Sequence, residues 1–154
     1  MINIYTASAD NIPELINVRL EYLREDFAEM TEADEKTVVA QLNEYFPRHI
    51  GGNDFLAILA EDNGSIVASA FLLVSEKPAN PFFYTGITGT ILNVYTAPEY
   101  RRKGIATRVI NALLDEARRM NISVVDLLAT DDGKPLYETL GFTIPSNTYM
   151  RMQL

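Results

Sequence analysis

The chain has 154 residues, 47% hydrophobic and 22% charged, and 13 basic against 21 acidic side chains give it a net charge of −8. That length suits a single domain spanning residues 1–154; the apolar fraction excludes disorder, and the lack of Cys excludes a disulfide scaffold. With His49 as its one His, the chain is also a poor candidate for a zinc site, a Ser-His-Asp triad or a Cys-His centre.

Ile2 to Tyr5 reads as a first strand. Asp10-Asn11-Ile12-Pro13 then starts a helix whose apolar face carries Ile12, Leu15, Ile16, Leu20 and Leu23 at three- and four-residue spacing. A second helix starts at Thr31, with Asp34 three residues on in the manner of a capping box. Val38, Val39, Leu42, Tyr45 and Phe46 continue it to Pro47, and Gly51-Gly52 breaks the pattern. His49 is expected in an exposed loop with no chemistry assigned.

Phe55 to Ala60 and Ser65 to Val74 are apolar runs joined through Asn63-Gly64, a strong short hairpin signal because both turn positions tolerate positive φ. Pro78 and Pro81 mark a loop before the fourth strand, Thr90 to Thr96. A helix with Ile105, Val109, Ile110, Leu113, Leu114 and Ala117 on one face follows a basic turn. Ser123 to Thr130 reads as the fifth strand, and Leu136 to Leu140 as a short helix closed by Gly141. Phe142 to Ile144 and Tyr149 to Leu154 are expected as a final strand pair. The order predicts an α+β domain.

The most informative stretch runs from Tyr95 to Thr107. A buried strand leads into the cations Arg101, Arg102 and Lys103, and then into a helix opening at Gly104, Ile105 and Ala106. The first turn of a helix leaves backbone N–H groups unpaired at the positive end of its dipole. Small residues there admit a ligand close to the backbone, which suits phosphate or pyrophosphate. One Gly is too few for a Walker loop or a dinucleotide fingerprint. A solvated basic loop ahead of an amphipathic helix is the competing reading.

Here the sequence resembles the GCN5-related N-acetyltransferase (GNAT) family. Its phosphate-binding pattern, Gln/Arg-x-x-Gly-x-Gly/Ala, is matched by Arg101-Arg102-Lys103-Gly104-Ile105-Ala106, after the lead-in Pro98-Glu99-Tyr100. The resemblance implies a mixed α/β fold with a mostly antiparallel central sheet, splayed between the fourth and fifth strands and flanked by helices. It implies that the turn from Arg101 to Thr107 binds the pyrophosphate of acetyl-CoA, and that Val94, Tyr95 and Thr96 pair with the pantetheine arm like an added strand. A second match, Leu136-Tyr137-Glu138-Thr139-Leu140-Gly141-Phe142, implies that Tyr137 protonates the departing thiolate and leaves CoA as product. A phenol with a pKa of about 10 is protonated at neutral pH, as a general acid must be. Packing of Tyr137 onto the sheet is the structural alternative. Where relatives often carry Asn after the fifth strand, this chain has Asp131-Asp132, read as a solvated turn.

The implied reaction is acetyl transfer to a primary amine of a small molecule or peptide. No general base is named: Asn93 stands where some relatives place Glu, and an amide can orient water or acceptor without taking a proton. Glu21, Glu25, Asp26, Glu29, Glu32, Asp34 and Glu35 form an acidic segment over the implied acceptor pocket. Facing the pocket, these acids, Glu25 and Asp26 among them, would favour a cationic amine; a solvated helix face, with acids favouring the start of the second helix, is the commoner arrangement. A non-catalytic CoA-binding module and a phosphate-recognising domain without CoA are the alternative functions. The acidic balance argues against nucleic acid, and no apolar run is long enough for a membrane span. Without a basic and apolar leader at Met1 to Tyr5, a cytoplasmic location is expected. Proteins of this kind are commonly homodimers, though no segment marks an interface.

Overall fold

In the computed structural model, which describes residues 1–154, Asn63 and Gly64 have φ of 50° and 80°. These paired positive angles match the right-handed twist of the strands they join, β2 (Phe55–Asp62) and β3 (Ser65–Glu76). β1 (Asn3–Thr6) lies outside β2, and β4 (Ile87–Thr96) pairs with β3, all antiparallel. β5 (Val124–Leu127) adds to β4 in parallel, giving the order β1-β2-β3-β4-β5. A parallel neighbour needs a crossover, supplied by α3 (Ile105–Arg119).

Alternation along β2 sends residues to opposite faces of the sheet. Phe55, Ala57 and Leu59 meet α1 (Ile12–Asp26) and α2 (Glu32–His49), packing with Leu15, Val18, Leu42 and Phe46. Ile58 and Ala60 meet α3, whose Ile105, Val109, Leu113 and Ala117 form the second core. Phe46, Phe55 and Phe71 make an aromatic cluster with ring centroids 5.5–6.0 Å apart. Helices therefore cover both faces of the sheet, with α1 and α2 opposite α3. No helix is long and apolar enough to cross a membrane.

The start of α2 has the expected reciprocal box: the Asp34 N–H donates to Thr31 Oγ1 at 3.1 Å, and the Thr31 N–H to Asp34 Oδ2 at 2.9 Å. Its end differs from expectation, because the helix passes Pro47 and His49 is its last residue. A proline this near the end removes one backbone donor, while buried Phe46 anchors the turn and accepts the Ile50 N–H at 2.9 Å. His49 Nδ1 contacts Asp54 Oδ2 at 2.7 Å, and its ring lies 4.3 Å from that of Tyr45.

β3 and β4 reach further into the loop between them than their apolar runs suggest, and β5 is shorter than Ser123 to Thr130. The expected final strand pair does not form. After α4 (Lys134–Thr139) the chain turns at Gly141, with φ of 99°, and residues 143–154 pair with no strand. Alternation supplies a face but not a partner edge, and a strand without an edge has no ladder.

Candidate active site

The site begins with a defect in β4. Tyr95 pairs with Ser69 and Leu92 with Phe71, so Asn93 and Val94 share one residue of β3 as a bulge. Asn93 takes φ of 54° and is buried. Its Nδ2 donates to the Val18 carbonyl at 3.3 Å and to Ser69 Oγ at 3.2 Å, and its Oδ1 accepts from Arg19 Nη1 at 3.2 Å. Asn93 borders the cleft, but these bonds commit its side chain to holding the bulge against α1. β4 and β5 pair as far as Ile91 and Leu127 and no further, which leaves the edge of Val94, Tyr95 and Thr96 without a strand on that side. A cavity of about 790 Å³ opens there.

The N-terminus of α3 forms one wall. Gly104 caps it in the left-handed region, with φ of 74°, after Arg102 at 59°, and no side chain caps the helix. The Arg108 N–H reaches the Gly104 carbonyl at 3.2 Å, while the N–H groups of Ile105, Ala106 and Thr107 have no backbone partner. All three residues line the cavity, with Arg101, Arg102 and Gly104 beside them. Uncapped N–H groups at a helix start, with open space where a Gly104 Cβ would stand, fit a pyrophosphate.

The three cations diverge. Arg101 Nε donates to the Thr96 carbonyl at 2.8 Å, and its Nη2 pairs with Glu25 Oε1 at 2.5 Å. Arg102 faces the cavity. Lys103 does not line it; its ammonium lies 5.1 Å from the centre of the Tyr100 ring, whose hydroxyl donates to Asp62 Oδ2 at 2.9 Å.

Tyr137 approaches from the opposite wall, on α4. A Cβ at Gly133 would stand 3.0 Å from Tyr137 Cε2, so that glycine admits the ring. Phe142 packs edge-on at 5.9 Å. Burial, and secondarily the Tyr22 hydroxyl, push the Tyr137 phenol up to about 12. Both residues border the cavity. Glu25 and Asp26, on the same face of α1 as Tyr22, border it too, whereas other acids of that segment are engaged elsewhere. Glu21 and Glu35 pair with Arg24, Glu32 with Lys36, and Asp34 caps α2. Of the two acids after β5, Asp132 borders the cavity and Asp131 does not, and both are exposed. Sequence reasoning missed Tyr22, which its i, i+4 spacing to Asp26 on an amphipathic helix could have marked. Burial, then Asp26, raise its pKa.

The acetyltransferase (GNAT) family profile matches residues 18–142, from within α1 to Phe142. The chain belongs to the GNAT acetyltransferase family. GNAT acetyltransferases use acetyl-CoA as acetyl donor. A predicted acetyltransferase from Clostridium acetobutylicum, crystallised with acetyl-CoA, is 29% identical with a TM-score of 0.87, and the match covers 99% of this chain and 96% of that one. A GCN5-related N-acetyltransferase from Ralstonia eutropha is 22% identical, with 99% of both chains covered and a TM-score of 0.75. An aminoglycoside acetyltransferase from an uncultured soil metagenomic sample is 19% identical, covers 100% and 99%, and has a TM-score of 0.77. The last two share the fold. No curated protein matches this GNAT chain in sequence.

Proposed function

We propose that this GNAT chain, as one domain of residues 1–154, transfers the acetyl group of acetyl-CoA to a primary amine of a small molecule or peptide. The observation that carries the reading is one cavity bordered by the unpaired edge of β4, the uncapped start of α3 and Tyr137. When bound, acetyl-CoA supplies an acetyl group activated as a thioester. The N–H groups of Ile105, Ala106 and Thr107, with Arg102, hold its pyrophosphate. Val94, Tyr95 and Thr96 offer backbone groups to the pantetheine arm, and Tyr137 gives a proton to the departing sulfur. Asp26 faces the acceptor and favours a cationic amine. Arg101, tied to Glu25 and to the Thr96 carbonyl, ties the phosphate wall to α1.

Calorimetric titration of the purified protein with acetyl-CoA, against pyrophosphate alone, tests the cleft. Saturable binding that pyrophosphate does not reproduce is expected; no binding by folded protein overturns both the enzyme and the CoA-binding module. Release of free CoA on adding amines then separates those two. Thiol detection meets no protein background, since the chain has no Cys.

Asp26→Lys is the cleaner probe of the acceptor, because Glu25→Lys would also free Arg101. For a cationic amine, the variant is expected to raise KM about tenfold, which corresponds to about 1.4 kcal/mol, with the acetyl-CoA KM unchanged. Unchanged amine kinetics would return Asp26 to the solvated helix face.

A further inference from the structure

Of the 13 basic side chains, Arg19 alone is not exposed. It lies on α1 between buried Val18 and Leu20. No carboxylate pairs with it, although Arg24 on the same helix pairs with Glu21 and Glu35, and Arg101 with Glu25. Its Nη1 donates to Asn93 Oδ1 at 3.2 Å, and its Cζ lies 5.8 Å from the centre of the Tyr22 ring. Burial lowers the pKa of the guanidinium, and Tyr22 and Asp26 oppose that effect. A cation drawn out of water towards a neutral amide and a ring face lowers stability, and an apolar side chain of similar length would pack there without the desolvation penalty.

The two groups that Arg19 touches both belong to the site. Asn93 sits on the bulge, close to where β4 parts from β5, with φ of 54°. Its Nδ2 is taken up by the Val18 carbonyl and Ser69 Oγ, and Ser69 Oγ donates to its carbonyl at 3.1 Å. That leaves the side-chain Oδ1, for which Arg19 is the one donor. Tyr22 and Asp26 follow Arg19 by about one and two helical turns, and both border the cavity. The direction of the chain brings the reaction to the same place. With the pyrophosphate on the start of α3, the pantetheine arm runs back along Thr96, Tyr95 and Val94, and its thioester end reaches the bulge.

We propose that Arg19 is a positioning residue for acetyl transfer, fixing the bulge through Asn93 and the Tyr22 ring through its face, so that the thioester carbonyl meets the backbone at Asn93 and Val94 in one geometry. The role rests on acetyl-CoA lying in the cavity as proposed above. Arg19 does not itself border the cavity, so it acts through these two neighbours. Displacing a reacting group by about 1 Å is enough to slow a reaction about 10²-fold, which gives a bulge held by a single guanidinium its leverage.

Infrared difference spectra of acetyl-CoA isotopically labelled at the thioester carbonyl carbon test this without an acceptor amine. Bound to the wild type, the carbonyl should give one narrow band below the frequency of free acetyl-CoA. Arg19→Met should broaden the band and return it towards the free value. Its calorimetric Kd should stay within about twofold, because the donors at the start of α3 are untouched. Arg19→Lys keeps a charged donor and should keep the lowered band. Asn93→Gly tolerates the positive φ and deletes the amide; it should match Arg19→Met, and the double variant should go no further than either single change. A wild type that does not bind acetyl-CoA overturns the cofactor reading and this role with it. Binding with the same band in the wild type and Arg19→Met, a lowered band in Asn93→Gly, or a band lost equally in Arg19→Lys overturns the role of Arg19 alone.

Discussion

Tyr137→Phe is expected to lower turnover by about 10²-fold or more, the range in which a positioned proton donor acts, while the Kd for acetyl-CoA changes by less than about twofold. The ring fills a slot made by Gly133 and Phe142, and phenylalanine fills it equally well, so the wall of the cavity is kept. What is lost is a hydroxyl with no hydrogen-bond partner in the protein, held protonated by a pKa near 12. That value fixes the sign of the alkaline behaviour. A donor titrating at its ordinary value would lose activity from about pH 10, whereas this one keeps its proton until the pH approaches 12. The raised value also means that its contribution to stability is intact below about pH 10 and is lost as the pH rises through the folded value. Steady-state rates of both proteins from pH 6 to about 11, with calorimetric Kd values, check the claim. Equal turnover would remove Tyr137 from the chemistry, and a parallel loss of affinity would make it a packing residue.

Local signals were legible in the sequence, and long-range pairings were not. Asn63-Gly64 and the Thr31 to Asp34 box are decided within a few residues, by φ preferences and side chains that reach adjacent backbone, and both formed as read. The helix faces followed from periodicity alone. Pro47 misled because a proline signals a missing donor, while the packing of Phe46 against Phe55 and Phe71 carries the last turn of α2 past it. The final strands misled for a related reason: Tyr149 to Leu154 has the alternation of a strand, but only a partner edge turns alternation into a ladder.

The same division runs through the site. The start of α3 was readable because Gly104 and the uncapped turn are contiguous in the chain. The pairing of Arg101 with Glu25, the failure of Lys103 to face the cavity and the role of Asn93 depend on which elements meet. From the sequence alone, Asn93 could orient water or the acceptor where some relatives place Glu. Its side chain instead joins Val18, Arg19 and Ser69, which come from α1 and β3. That network holds the bulge beyond which β4 and β5 no longer pair, so the residue shapes the cavity without needing to act in it.

Gly104→Asp offers the sharpest separation of fold from function. An ideal Cβ at Gly104 meets nothing within 4 Å, so the side chain has room, and the cost is the left-handed φ of 74°. A left-handed residue costs about 1–2 kcal/mol, with Asp and Asn among the better tolerated. A carboxylate beside a helix start returns about 0.3–1 kcal/mol through the helix dipole, leaving folding stability nearly unchanged. For a pyrophosphate the outcome differs, because the new carboxylate occupies the same donors and repels the ligand. Two like charges 4 Å apart at an effective dielectric of 20 oppose each other by about 4 kcal/mol; even half of that weakens acetyl-CoA binding by about 30-fold. Gly104→Ala carries the backbone strain without the charge, and is expected to shift the melting temperature more than it shifts the Kd. Thermal unfolding and calorimetric titration of the two variants together separate these effects. If Gly104→Asp binds acetyl-CoA as the wild type does, the pyrophosphate does not rest on this turn, and the uncapped start of α3 has no part in holding the cofactor.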